Sequence, residues 1–168
     1  MDRTSRGIFF LRVVVGGGFL FAGLDKFFML AGGTPFTAAG FLKGATGGAW
    51  LGSTGVVNPT HPFWASLAGN ASLMSVIDTL VVFGECAVGI ALILGLATRF
   101  AGICGAVMMA LFFVANWSFA TGPFNEQFMY GVIAGTIAFV GAGAYALDSV
   151  VEKLAITQRI PVVKYALG

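Results

Sequence analysis

"GIFFLRVVVGGGFLFAGLDKFFM", residues 7–29, decides the fold. At 1.5 Å per residue this apolar run is long enough to cross a hydrocarbon core of about 30 Å. It exceeds the apolar region of a signal peptide, and no small-residue cleavage site follows it, so a retained membrane helix is expected. The rest of the chain agrees. Its 168 residues are 58% hydrophobic and 10% charged, where a soluble domain carries about 25% charged residues. A soluble domain of this size has too little interior for so much apolar surface. The expectation is an all-α integral membrane protein of a single domain.

Three further apolar segments are long enough to span, at about residues 73–97, 100–119 and 128–147. A four-transmembrane-helix bundle follows. Its 25 glycines fit this reading, because small residues let membrane helices approach closely. Arg3, Arg6, Arg99, Lys153, Arg159 and Lys164 all fall beside span ends on one side. The excess of bases on the cytoplasmic side then puts both termini in the cytoplasm, with an amphipathic tail at residues 149–168. Residues 30–72 form a long outward loop, and a loop of that length has structure or function of its own. Within it, Thr34 with Pro35 and Thr60 or His61 with Pro62 offer helix starts. Two short interfacial helices are expected, the first stopped by Gly44 and the second around residues 62–68. Trp50 and Trp64 suit the aromatic belt.

Charges at membrane depth are costly and mark candidate sites. Arg12, Gly16, Phe19, Gly23 and Lys26 share one helical face of the first span. Asp78, Glu85, Leu92 and Arg99 recur every seventh residue in and after the second span, with Gly89 among them. Two polar-tipped, glycine-notched stripes should therefore face each other. Glu85 lies near mid-membrane, where a carboxyl either pairs with a base or stays protonated. Arg12 or a neighbouring helix is a possible structural partner. Asp78 lies roughly 10 Å further outward, level with Asp25, Lys26 and Asn116. Trp117, Glu126 and Tyr130 join that outer cluster beneath the loop that carries the only histidine, His61.

Each residue has a plain alternative. Lys26 and Arg12 snorkel. Arg99 anchors topology. Asn116 ties helices together. Glu126 complements a helix dipole. His61 caps a loop, and Asp148 marks the cytoplasmic boundary. The small-residue faces Gly131/Gly135 and Ala87/Ala91/Gly95 have a packing reading.

Several chemistries have no footing in the sequence. A single loop histidine excludes a bis-His haem within one chain. Cys86 and Cys104 form neither CxxC nor a metal spacing. There is no Walker loop, dinucleotide fingerprint, HExxH or GxSxG. Neither a metal nor a nucleotide is therefore expected. The net charge of +2 and the scattered bases argue against nucleic acid. The bilayer is the expected partner.

"GFLFAGLDKFF", "FTAAGFLKGATGG", "GECAVGIALILGLATRFAGICGA", "NEQFMYGVIAG" and "GAGAYALD" together resemble the DoxX/DoxD family of small four-helix membrane proteins, over about residues 12–148. The most specific pieces are Gly23, Lys26 and Phe27 at the end of span one, and Gly89, Leu92, Gly95, Thr98 and Arg99. The resemblance implies a prokaryotic plasma-membrane subunit of a quinone-linked oxidoreductase. In DoxD-like members this is thiosulfate:quinone oxidoreductase with a DoxA partner. Quinone is then a substrate. Glu85, Asp78 and Lys26 are the candidate catalytic groups, and Asp25, Asn116, Trp117, Tyr130, Glu126 and His61 the candidate binding groups. Arg12 and Arg99 are read as structural charges. The alternative is a non-catalytic accessory subunit of a larger respiratory complex.

Overall fold

The apolar run of residues 7–29 is helical throughout and lies inside a 29-residue helix, α1 (Arg3–Ala31). The computed structural model describes residues 3–42, 58–117, 124–153 and 165–167. Among them there is no strand. After α1 come α2 (His61–Ala68), α3 (Ala71–Leu94), α4 (Thr98–Ala115), α5 (Glu126–Val140) and a short α6 (Asp148–Val151). α1, α3 and α4 are long and apolar enough to cross a membrane.

α5 has 15 residues, about 22 Å, and does not reach across alone. The helix expected over residues 128–147 runs over Glu126–Val140 instead. Helix α5 stops at Gly141, and residues 141–147 run on without regular structure. Glycines at 141 and 143 with positive φ (99° and 66°) turn the chain there. Arg12 holds this segment. Its guanidinium donates to the carbonyls of Ala142 and Tyr145 (3.0 Å to the latter). Irregular backbone at membrane depth persists only where protein satisfies its polar groups, and a fully buried Arg12 does that here. Arg12 does not snorkel, and it is not the partner of Glu85.

The α3–α4 turn is a Schellman cap. Gly95 sits at φ 65°, its N–H donates to Leu92 and the Leu96 N–H to Ala91. This ends α3 at Leu94, short of the expected Ala97. Asp148 completes the turn from a distance: its carboxylate accepts from the Ala97 and Thr98 amides at 2.6 and 2.9 Å. It is a remote cap for α4, not merely a boundary residue, and no local sequence signal marks it.

α1 packs mainly along α3, and α4 along α5. The first pairing rests on glycine. A Cβ on Gly16 would fall 2.9 Å from the Gly89 carbonyl oxygen, and one on Gly89 2.5 Å from the Leu20 nitrogen. The two backbones thus touch, as small residues permit. Val15, Phe19, Val88, Leu92, Ala101, Met109 and Ile137 form the core between the pairs. Large apolar side chains point outward on every long helix, including Phe21, Leu80, Phe100 and Phe139. A helix surface this apolar suits lipid. Gly131 and Gly135 lie against α4, so their small face is internal packing.

A second core lies beyond the Lys26 end of α1: Ala38, Leu42, Trp64, Ala68, Met74 and Ala115. Residues 39–42 make one helical turn there. The turn does not start at Thr34 as expected. The Thr37 hydroxyl accepts from the Ala39 amide at 3.2 Å, and the Asp78 carboxylate reaches from α3 to the Ala38 amide at 2.7 Å. Those acceptors set the start four residues late. Helix α2 begins at His61, with Thr60 as N-cap and proline in its first turn. Trp50, Lys43, Gly44, residues 118–119 of the third expected span, Arg159, Lys164 and most of the expected tail lie outside the described residues.

Candidate functional site

Two stripes legible in the sequence meet along the α1–α3 crossing. The buried face of α1 is Arg12, Val15, Gly16, Phe19 and Gly23, and that of α3 includes Val81, Glu85, Gly89 and Leu92. Gly23 lies against Glu85 and Cys86: a Cβ there would stand 2.7 Å from Cys86 Sγ and 3.1 Å from Glu85 Cβ. This close approach lets Lys26, one turn on, reach Glu85. Lys26 Nζ donates to Glu85 Oε2 at 2.7 Å and to the Ala22 carbonyl at 3.1 Å. It also stands 5.7 Å from the centre of the Phe36 ring.

The pair is unequally sheltered. The Glu85 side chain is 4% exposed and that of Lys26 21%. A buried ion pair holds only while both partners are present, since desolvation leaves a lone charge costly. An ammonium has three protons. Glu85 and Ala22 take two of them, so Lys26 keeps one for a further acceptor.

That proton belongs to a side chain on the wall of a 340 Å³ cavity. The floor is buried and formed by Phe19, Val81, Glu85 and Met109. Phe36, Ala38, Phe41 and Phe112 add an apolar roof and side. Glu126, Gln127 and Tyr130 contribute from the first turns of α5. Such a space, apolar with a few convergent polar groups, is what a ligand site looks like. Its size matches a small aromatic ring system, and its polarity a ligand that is mostly apolar with a few acceptor atoms.

The expected residues divide accordingly. Lys26, Glu85, Glu126 and Tyr130 come together around the cavity. Tyr130 packs edge-on against Phe19, centroids 6.0 Å apart. Glu126 is exposed and accepts from Gln127 Nε2 at 3.0 Å. Asp78 does not pair with Lys26. It holds the Ala38 amide, so it positions the cavity's roof from behind. Asp25 is exposed and does not line this cavity. Asn116 is the backbone cap of α4 and Trp117 stacks on Phe113 at 6.3 Å; both lie away from the lining. His61 opens α2, also off the cavity. Arg12 and Arg99 lie at the other end of the bundle. The Arg99 Nε is buried without a partner among the described residues.

Asn58, which the sequence reading did not single out, also ties the loop to the bundle. Its amide donates to the Val114 and Ala115 carbonyls at 3.1 and 3.2 Å, satisfying the end of α4. The loop then continues into α2, where Trp64 Nε1 donates to Thr60. The "NPT" turn signature was the available sign for Asn58. For Phe36 and Phe41 it was the need of an amphipathic loop segment to bury its aromatics.

The family described as "TQO small subunit DoxD" matches residues 8–167. No curated protein and no solved structure matches the chain.

Proposed function

The chain belongs to the DoxD family, and on that premise we propose that it is the membrane subunit of a thiosulfate:quinone oxidoreductase, with the Lys26–Glu85 cavity as its quinone-headgroup site. The observation that carries this reading is the cavity itself: 340 Å³, mostly apolar, with a buried carboxylate paired to a partly exposed ammonium in its wall. A quinone ring needs an apolar slot and a donor for a carbonyl oxygen. The spare proton of Lys26 is that donor. Reduction takes two electrons and two protons into the quinone while two thiosulfate dianions lose two electrons and form the central S–S bond of tetrathionate. As charge develops on the carbonyl oxygen, Lys26 stabilises it, and Glu85 keeps the ammonium in place.

Charge argues for the neutral acceptor in this cavity. Lys26, Glu85 and Glu126 sum to a negative wall when all are ionised, which opposes a thiosulfate dianion. Sulfur oxidation therefore belongs to a DoxA-like partner. In this reading the protein is a multi-pass subunit of a prokaryotic plasma membrane with cytoplasmic termini, and α5 together with residues 141–147 makes the fourth crossing. Residues 30–72 then lie on the outer face, and the cavity in the outer half.

The test is thiosulfate-dependent reduction of a decyl-benzoquinone by the purified protein, alone and with co-purified chains, together with mass spectrometry of extracted quinone. Reduction in the complex and bound quinone are expected. No reduction in either preparation and no bound quinone would sink the proposal.

A further inference from the structure

The cavity floor is supplied by α3, α4 and Phe19, all buried. Its partly exposed lining includes Gly18, Ala22 and Lys26 on α1 and Gln127 and Tyr130 on α5, beside Phe112 and the loop residues Phe36 and Phe41. Their spacings, four and four on α1 and three on α5, place each set on one helical face. These two helices touch each other much less than α1 touches α3 or α4 touches α5. The α1–α5 seam is thus a loosely packed wall of the cavity. The neighbouring outward positions are Phe21, 77% exposed, and Met129, 49% exposed. Side chains of that kind face hydrocarbon rather than water.

Tyr130 closes part of the seam, edge-on to Phe19 and against Gly18. Tyr130 rests directly on Gly18, so that a Cβ added at Gly18 would overlap the tyrosine hydroxyl and ring. Gly17, one position away, has nothing within 4 Å of an added Cβ. The middle residue of "GGG" differs from the third in what it faces, and only the third is matched to a partner across the seam.

We propose that the α1–α5 seam is a lateral portal from the bilayer, edged by Tyr130 on Gly18, through which the tail of a lipid-soluble quinone passes while its ring occupies the cavity. This rests on the quinone reading above and adds to it the route: entry from the lipid through the seam, not from the aqueous face. The apolar tail matches the apolar surface that flanks the seam at Phe21 and Met129.

The experiment uses the full chain in lipid nanodiscs and two labelled probes, a decyl-benzoquinone and the same ring without a tail. In Gly18→Leu, affinity for the tailed probe should fall at least about tenfold more than for the tail-less one, because a side chain now fills the seam. Gly17→Leu, which adds the same side chain to open space, should change that ratio by less than about twofold. Tyr130→Ala widens the seam and should speed release of the tailed probe about fivefold. Equal losses for both probes in Gly18→Leu, or the same ratio change in Gly17→Leu, would overturn the portal and leave the quinone site standing. Wild-type protein that binds neither probe would overturn both. If Gly18→Leu does not fold, the Tyr130→Ala release rates of the two probes decide: faster release of the tailed probe alone supports the portal, and an unchanged rate or equal acceleration of both rejects it.

Discussion

Arg12→Met removes a charge from a helix that the bilayer would prefer without it, yet it should destabilise the protein strongly. Arg12 is fully buried, and it donates to the Ala142 and Tyr145 carbonyls. Each hydrogen bond from a charged donor is worth about 1.5–3 kcal/mol. Methionine fills most of the volume but satisfies neither carbonyl. The bends at Gly141 and Gly143 leave both carbonyls outside any helix, so no backbone donor replaces the lost ones. A loss of roughly 3–5 kcal/mol follows. Arg12→Lys keeps the charge but has no planar fork to reach two carbonyls, and should lose about half as much. The assay is SDS-titrated unfolding of the purified protein in mixed micelles, with the exposed Arg6→Met as control. Limited proteolysis at residues 141–148 should quicken in parallel. A loss below about 1 kcal/mol, within the usual range of a surface substitution, would refute the argument that Arg12 stands in for a missing helical turn.

Three other outcomes are expected. Removing one partner of the buried pair, by Lys26→Met or Glu85→Leu, should cost more stability than the double replacement, with a coupling of about 1–3 kcal/mol in a double-mutant cycle; additive losses would mean that the 2.7 Å contact is energetically idle. Gly89→Ala should disrupt the α1–α3 crossing, where its Cβ meets the Leu20 backbone, while Gly17→Ala is neutral or slightly stabilising; the midpoint of thermal aggregation in detergent separates the two, and equal midpoints would contradict the packing. Asp148→Ala should strip two amide caps from the α3–α4 turn and cost about 1–2 kcal/mol; hydrogen exchange at Ala97 and Thr98 reads the effect directly, and unchanged exchange would refute it.

Much of the architecture was legible in order of composition, run length and period. Apolar runs too long to hide in water gave three of the spans, and a spacing of three and four put Arg12, Gly16, Phe19, Gly23 and Lys26 on one face. The second stripe was read the same way. What one-dimensional spacing supplied was face and approximate depth. It placed Lys26 level with Asp78, but a long flexible lysine stem carries its charge well away from its own Cα, and its ammonium settled on Glu85. Asp78, left on the far side, found a backbone amide of the loop instead. Asp25 and Asn116 share the depth of the cavity without sharing its direction, so depth alone overstated the cluster.

The fourth helix was overestimated for a related reason. Residues 128–147 are apolar along their length, and hydropathy has no term for the carbonyls that a buried arginine on another helix can satisfy. By itself, then, the sequence determined that the chain lives in a bilayer, which helices have a polar seam, and that glycines notch those seams, because partition and helical period are local properties of a segment. Tertiary structure alone decided which charge meets which, that α5 ends early under Arg12, that Asp148 caps a turn fifty residues away, and that four helices leave a cavity between them. Those depend on the register of one helix against another, and the register is set by the close approaches at Gly16, Gly23 and Gly89, whose partners no spacing within either helix reveals.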